Sequence, residues 1–100
     1  MNPLPSVETL VYLFTYDQDS GKLYNRITRN SKAIEGAEAG VLGGNGCRQI
    51  SVESITYLTH RLIWKMLKEQ DPVELDHINH NPLDNRIGNL REVTSHGKAA

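Results

Sequence analysis

Residues 76–94 read DHINHNPLDNRIGNLREVT, and this stretch decides how the rest of the chain is organised. Asp76 and His77 close a short extended run, VELD, while Asn89-Leu90-Arg91-Glu92-Val93 forms a second one. Between them Asn79, Asn81, Pro82 and Asp84 are turn formers, so the segment predicts a β-loop-β unit. At the end of a strand the direction of a side chain is set by the backbone. Asp76 there offers a hard oxygen donor suited to Mg²⁺ or Mn²⁺. His77 offers an imidazole, a side chain whose ordinary pKa near 6.5 lets it take a proton from water at neutral pH. These are two halves of a metal-assisted hydrolysis site.

Upstream of the motif, HRLIWKMLKE places Leu62, Ile63, Met66 and Leu67 on one helical stripe, with Thr59 as the expected cap and Asp71-Pro72 as the stop. Arg61, Lys65 and Lys68 fall on another face of that helix, which on its own reads as a solvated surface. Before it, CRQISV and ITYLT alternate around Glu53-Ser54 and predict a hairpin. Residues 30–46 carry Gly36, Gly40, Gly43, Gly44 and Gly46 and read as loop. LVYLFTYD, from Leu10 to Asp17, is rich in β-branched and aromatic residues; QDSG turns it, and KLYN returns as its partner strand.

The chain is 100 residues long, enough for one core, and carries a single cysteine, Cys47, so no internal disulfide framework is available. Hydrophobic residues make up 38% and charged ones 23%, which places it among folded soluble domains rather than disordered chains. No run of about 18 apolar residues occurs, and MNPLPSVETL lacks the pattern of a secretion signal, so the cytosol is the expected compartment. The net charge of −1 does not announce a polyanionic partner. The distribution says more: Lys22, Arg26, Arg29 and Lys32 have no acid among them, whereas Asp71, Glu74, Asp76 and Asp84 gather at the motif.

DHIN, LDNRI and NLREVT in that order, with HRLIW upstream, closely resemble the core of the HNH endonucleases, notably the small phage and intron-associated members. LFTYDQDSGKLYNR, AEAG, NGCRQISV and YLTH are also similar to the N-terminal part of such proteins, so the resemblance spans most of residues 12–94. It implies an α+β fold: antiparallel N-terminal hairpins and one amphipathic helix leading into a C-terminal ββα-metal core. The expected organisation is one domain over 1–100, with a β-rich part at 10–59, a helix at 60–70 and the nuclease motif at 73–100. The resemblance also implies a cytoplasmic protein, expected in an infected bacterial host.

Carried over by position, the resemblance implies that His77 activates the water attacking a phosphodiester of double-stranded DNA and that Asp76 holds the divalent ion, Mg²⁺ or Mn²⁺. Asn89, at the central asparagine of the motif, would orient the His77 imidazole by a hydrogen bond. Asn85 reads as a turn former that anchors the loop. Contacts to DNA would come from Arg48, His60, Arg61, Lys65, Arg86 and Arg91, weakening with salt. The family continues into a helix that supplies a second metal ligand, but only Thr94 to Ala100 follow Val93 here. That final helix is therefore expected to be short, Lys98 stands at the ligand position, and His96 is the nearby substitute. A zinc site drawn from Asp76, His77, His80 and His96 is the weaker alternative for the metal. A DNA-binding module without cleavage is the alternative function.

Overall fold

In a computed structural model the described residues are 3–93, so the expected final helix, Lys98 and the candidate ligand His96 lie outside them. The chain is a mixed α and β structure whose sheets are all small and antiparallel. It begins with helix α1, Val7–Leu13, followed directly by strand β1, Phe14–Asp17, and strand β2, Lys22–Asn25. The first half of the strand expected over Leu10 to Asp17 is thus helical. Ser6 caps the helix by accepting from the Thr9 backbone N–H at 3.1 Å, and Glu8 sits in the first turn, where a negative charge suits the helix dipole. Helical geometry buries Leu10 completely while Val11 and Tyr12 stay exposed, an arrangement that strand alternation would not produce.

Strand β3, Val41–Leu42, emerges briefly from the glycine-rich loop and joins strands β4, Arg48–Val52, and β5, Ile55–Leu58, in the order β3-β4-β5. The β4–β5 turn is Glu53-Ser54, with φ of 52° and 71°, the positive pair that a two-residue hairpin with right-handed strand twist demands. Helix α2, Thr59–Lys68, follows at once. Its cap position is Leu58 rather than Thr59, because β5 runs straight into the helix; Thr59 becomes the first helical residue, with its hydroxyl buried and unpartnered. Glu69 adopts a left-handed conformation, φ 60°, and ends the helix before Asp71-Pro72 is reached.

Leu62 and Ile63 are fully buried, Met66 packs at the edge of the core and Leu67 is exposed. Thr59, His60 and Trp64 are buried instead, so α2 is covered on a broader arc than the expected stripe. Its buried residues meet Leu10, Phe14, Leu23, Ile50 and Leu90 in one core that draws on both halves of the chain. Phe14 and Trp64 serve in packing, as their apolar bulk suggests.

Strands β6, Leu75–His77, and β7, Leu90–Glu92, form the β-loop-β unit, with Asp76 opposite Arg91 and His77 opposite Leu90. A 3-10 turn, Ile87–Asn89, leads into β7. Among the described residues no helix is long and apolar enough to cross a membrane.

Candidate active site

Asp76 and His77 are neighbours on β6, and neighbours on a strand project to opposite faces. Asp76 turns outward to Arg91, whose Nε and Nη2 donate to Oδ2 at 3.2 and 3.0 Å. That guanidinium holds the Asp76 carboxyl below its ordinary pKa. His77 turns inward and is only 8% exposed. The two groups expected to share a pocket are therefore adjacent in the chain but differently directed.

The imidazole of His77 is held on two sides. Its Nε2 lies 2.8 Å from Oδ1 of the buried Asn85. An amide oxygen can only accept, so Nε2 carries the proton and Nδ1 keeps the lone pair. On the other side the ring of His60 meets it edge-to-face, 4.8 Å between centroids and 71° between planes. Burial, and after it the neighbouring His77 and Arg61, push the His60 pKa down to about 4, and its Nδ1 has no partner. His60, expected to touch DNA, is instead a neutral ring in the protein interior.

Asn89 does not contact the His77 ring through a hydrogen bond. Its Oδ1 accepts from the Asn79 backbone N–H at 3.1 Å, and its Nδ2 donates to Asn79 Oδ1 and to the Asp84 carbonyl, both at 2.9 Å. It closes the loop, and the orienting bond expected of it is made by Asn85. The intervening residues shape the same loop. Asn79 Oδ1 accepts from Asn81 N at 2.9 Å, Asn81 Oδ1 accepts from Leu83 N at 3.1 Å, and Asn79 Nδ2 donates to Asp84 Oδ2 at 2.8 Å. His80 sits exposed at φ 65° within that turn.

The candidate DNA-contacting cations all have protein partners. Arg86 grips Asp84 through Nε at 2.8 Å and Nη2 at 2.7 Å, which holds the Asp84 carboxyl well below the usual carboxylate range. Lys65 pairs with Asp71. Arg61 donates to the carbonyls of Pro72 and Val73 at 3.2 and 3.4 Å. Arg48 lies against Glu38 at 3.1 Å and donates to the carbonyls of Ala39 and Gly40 at 3.0 and 2.7 Å, which fastens the loop before β3 to β4. Arg86 and Arg91 have about half of their side chains in solvent, 55% and 47%, and so remain within reach of a ligand.

Among the described residues no group of three or more His, Cys, Asp or Glu side chains could hold a metal ion, so Asp76, His77 and His80 do not make the zinc cluster. A single carboxylate on a motif strand nevertheless suits Mg²⁺, which usually takes one or two carboxylates and fills its shell with water and substrate phosphate. Asp76 fits that donor type.

Residues 57–100 match the family model described as HNH endonuclease. The motif segment is similar to the HNH endonucleases. The HNH segment thus includes α2, β6, the loop with Asn85 and β7, and excludes the β1–β2 hairpin. A solved structure of the HNH homing endonuclease I-HmuI, described as one of DNA binding and cleavage, is similar with a TM-score of 0.62 and 18% identity. The likeness covers 95% of this chain and 54% of that one, so the fold outside the HNH segment is shared as well. This chain spans about half the length of that relative. No curated protein matches it.

Proposed function

We propose that this chain is a metal-dependent endonuclease that hydrolyses phosphodiester bonds of double-stranded DNA, by nicking or by cutting both strands. The observation that carries the reading is the fixed imidazole: a buried His77 whose Nε2 is tied to Asn85 Oδ1, on a strand that also bears Asp76, within an HNH segment. A general base must hold its lone pair in one place, and the tied Nε2 leaves Nδ1 for that task. His77 then takes the proton of the attacking water at Nδ1. Asn85 stabilises the imidazolium that results, because its oxygen faces the Nε2 proton throughout. The neutral His60 ring limits how far the imidazole can swing and adds no opposing positive charge.

Asp76 would hold the divalent ion, Mg²⁺ or Mn²⁺, which when bound offsets negative charge on the scissile phosphate. Arg86 and Arg91 supply donors to flanking phosphates, exchanging part of their contact with Asp84 and Asp76 for phosphate oxygens. A second reading is favoured by the Asp76–Arg91 pair: a module that binds DNA but keeps its carboxylate occupied and does not cleave.

Incubation with supercoiled plasmid and Mg²⁺ or Mn²⁺ separates the two. The nuclease reading requires nicked or linear product that disappears with chelator and in His77→Ala. Salt-sensitive binding that ignores chelator, with no product at any metal concentration, would establish the second reading and remove the first.

A further inference from the structure

The β1–β2 hairpin lies outside the HNH segment, yet it grips the loop that holds the candidate base. Tyr16, on β1, donates its hydroxyl hydrogen to the Asn85 carbonyl at 3.0 Å and accepts from the Ile87 backbone N–H at 2.8 Å. One oxygen therefore bridges the peptide groups on both sides of Arg86. Gly21, in the hairpin turn, is buried with φ 75°. A Cβ there would lie 2.3 Å from the Arg86 nitrogen and 2.5 Å from the Asn85 carbonyl carbon, so the hairpin backbone rests directly on the same residues. From Asn85 the side chain continues to His77 Nε2 at 2.8 Å.

We propose that Tyr16 is a positioning residue for the candidate nuclease centre: it fixes the backbone of Asn85, and Asn85 in turn fixes the ring and the tautomer of His77. The inference rests on the reading of His77 as general base, but its structural half stands apart from catalysis. Tyr16 contributes no atom to the reaction. It acts because Asn85 sits in irregular loop backbone that could otherwise relax, and because displacing a base by an ångström is costly in rate. The N-terminal hairpin is thereby a working part of the candidate nuclease centre.

The test is Tyr16→Phe, which removes one oxygen and retains the half-buried ring. The first readout is the imidazole N–H proton of His77 in ¹⁵N–¹H spectra of the full chain without DNA or metal, assigned with His77→Gln. The wild type should show a slowly exchanging proton on Nε2. In Tyr16→Phe and Asn85→Ala it should broaden or vanish while the backbone spectrum stays native, and Asn85→Asp, which keeps an oxygen acceptor, should retain it. The second readout is plasmid cleavage with Mg²⁺ or Mn²⁺, where kcat in Tyr16→Phe and Asn85→Ala should fall about 10- to 100-fold with KM unchanged.

A wild-type proton on Nδ1, or a Tyr16→Phe chain that keeps both the resonance and the rate, overturns the proposal. Should Tyr16→Phe fail to fold, Tyr16→Met, which also lacks the hydroxyl but fills the site with a flexible apolar side chain, decides it by the same two measurements. A wild type that cuts no DNA while its Nε2 proton depends on Tyr16 removes the nuclease reading and upholds the positioning.

Discussion

Acidification should destabilise this protein through His60 well before the paired carboxylates of Asp71, Asp76 and Asp84 protonate. Burial lowers the His60 pKa from 6.5 to about 4 in the folded chain, with the rings and charges of His77 and Arg61 adding to the effect. Between those two values the unfolded chain binds a proton that the folded chain refuses. Stability therefore rises with pH across this window. The contribution is complete above about pH 6.5 and drains away as pH falls through the window, ending near pH 4, where the folded chain also takes the proton. At roughly 1.4 kcal/mol per pH unit the gap amounts to about 3 kcal/mol, and the solvent that still reaches the ring reduces this to about 2 kcal/mol. Set against a total of about 5–15 kcal/mol for a domain, that is a large share.

Urea unfolding followed by far-ultraviolet circular dichroism at pH 7.5, 6.5, 5.5 and 4.5 measures it. Asp71, Asp76 and Asp84 are held below their ordinary pKa by Lys65, Arg91 and Arg86 respectively, so their contributions are lost only below about pH 4 and do not overlap the window. His60→Leu keeps the site apolar and filled but cannot titrate. Its stability should stay level from pH 7.5 to 4.5 while the wild type loses about 2 kcal/mol. Parallel curves for the two proteins would show that His60 is not the group responsible and that its burial does not refuse the proton.

Three further outcomes follow from the loop and the ion pairs. Asn89→Ala removes three hydrogen bonds that close the motif loop, and should cost about 2–3 kcal/mol, read as a lower urea midpoint with unchanged slope; a variant as stable as wild type would show that Asn89 does not fasten the loop. Arg91→Ala deletes the partner that depresses Asp76, so the Asp76 carboxyl should titrate at higher pH in ¹³C spectra and Mn²⁺ should broaden its signals at lower concentration. An unmoved titration would mean that Arg91 does not govern this carboxylate. Arg86→Ala should reduce the slope of log affinity for duplex DNA against log salt by about one, and an unchanged slope would exclude a phosphate contact there.

The paired state of these cations bears on how DNA is met. Arg86 and Arg91 hold Asp84 and Asp76 before any nucleic acid arrives, so the acids that flank the motif also set the rest positions of the groups proposed to grip phosphate. Both guanidinium groups face solvent, where an ion pair is weak, so either can exchange its carboxylate for a phosphate oxygen. The same weakness applies to Asp76, whose release from Arg91 would free a ligand oxygen for a cation.

Much of the architecture was written locally. Alternation in CRQISV and ITYLT around Glu53-Ser54 is enough to specify the β4–β5 hairpin, since a two-residue turn with positive φ leaves one register. The apolar spacing of residues 59–68 specifies α2, and the density of Asn, Asp and Pro after His77 specifies a loop between two short strands. Helix α1 was not read from the sequence: the β-branched and aromatic run from Leu10 points to a strand, and it outweighed the capping serine at Ser6. Burial of Leu10 against α2 settled the competition.

Chain chemistry by itself determined the motif, its pairing of a carboxylate with an imidazole, and the likeness of the segment to the HNH endonucleases. Tertiary structure alone decided which asparagine faces His77. Asn85 and Asn89 both lie in the loop, and nothing in their spacing says that the first reaches the ring and the second closes the turn. It also decided that His60 is interior, that Arg48 is spent on carbonyls, and that Tyr16 clamps a loop 69 positions away. The reason is physical: backbone preference and side-chain type act over a few neighbours, whereas the choice of a hydrogen-bond partner is a contest among groups that meet only once the core has closed.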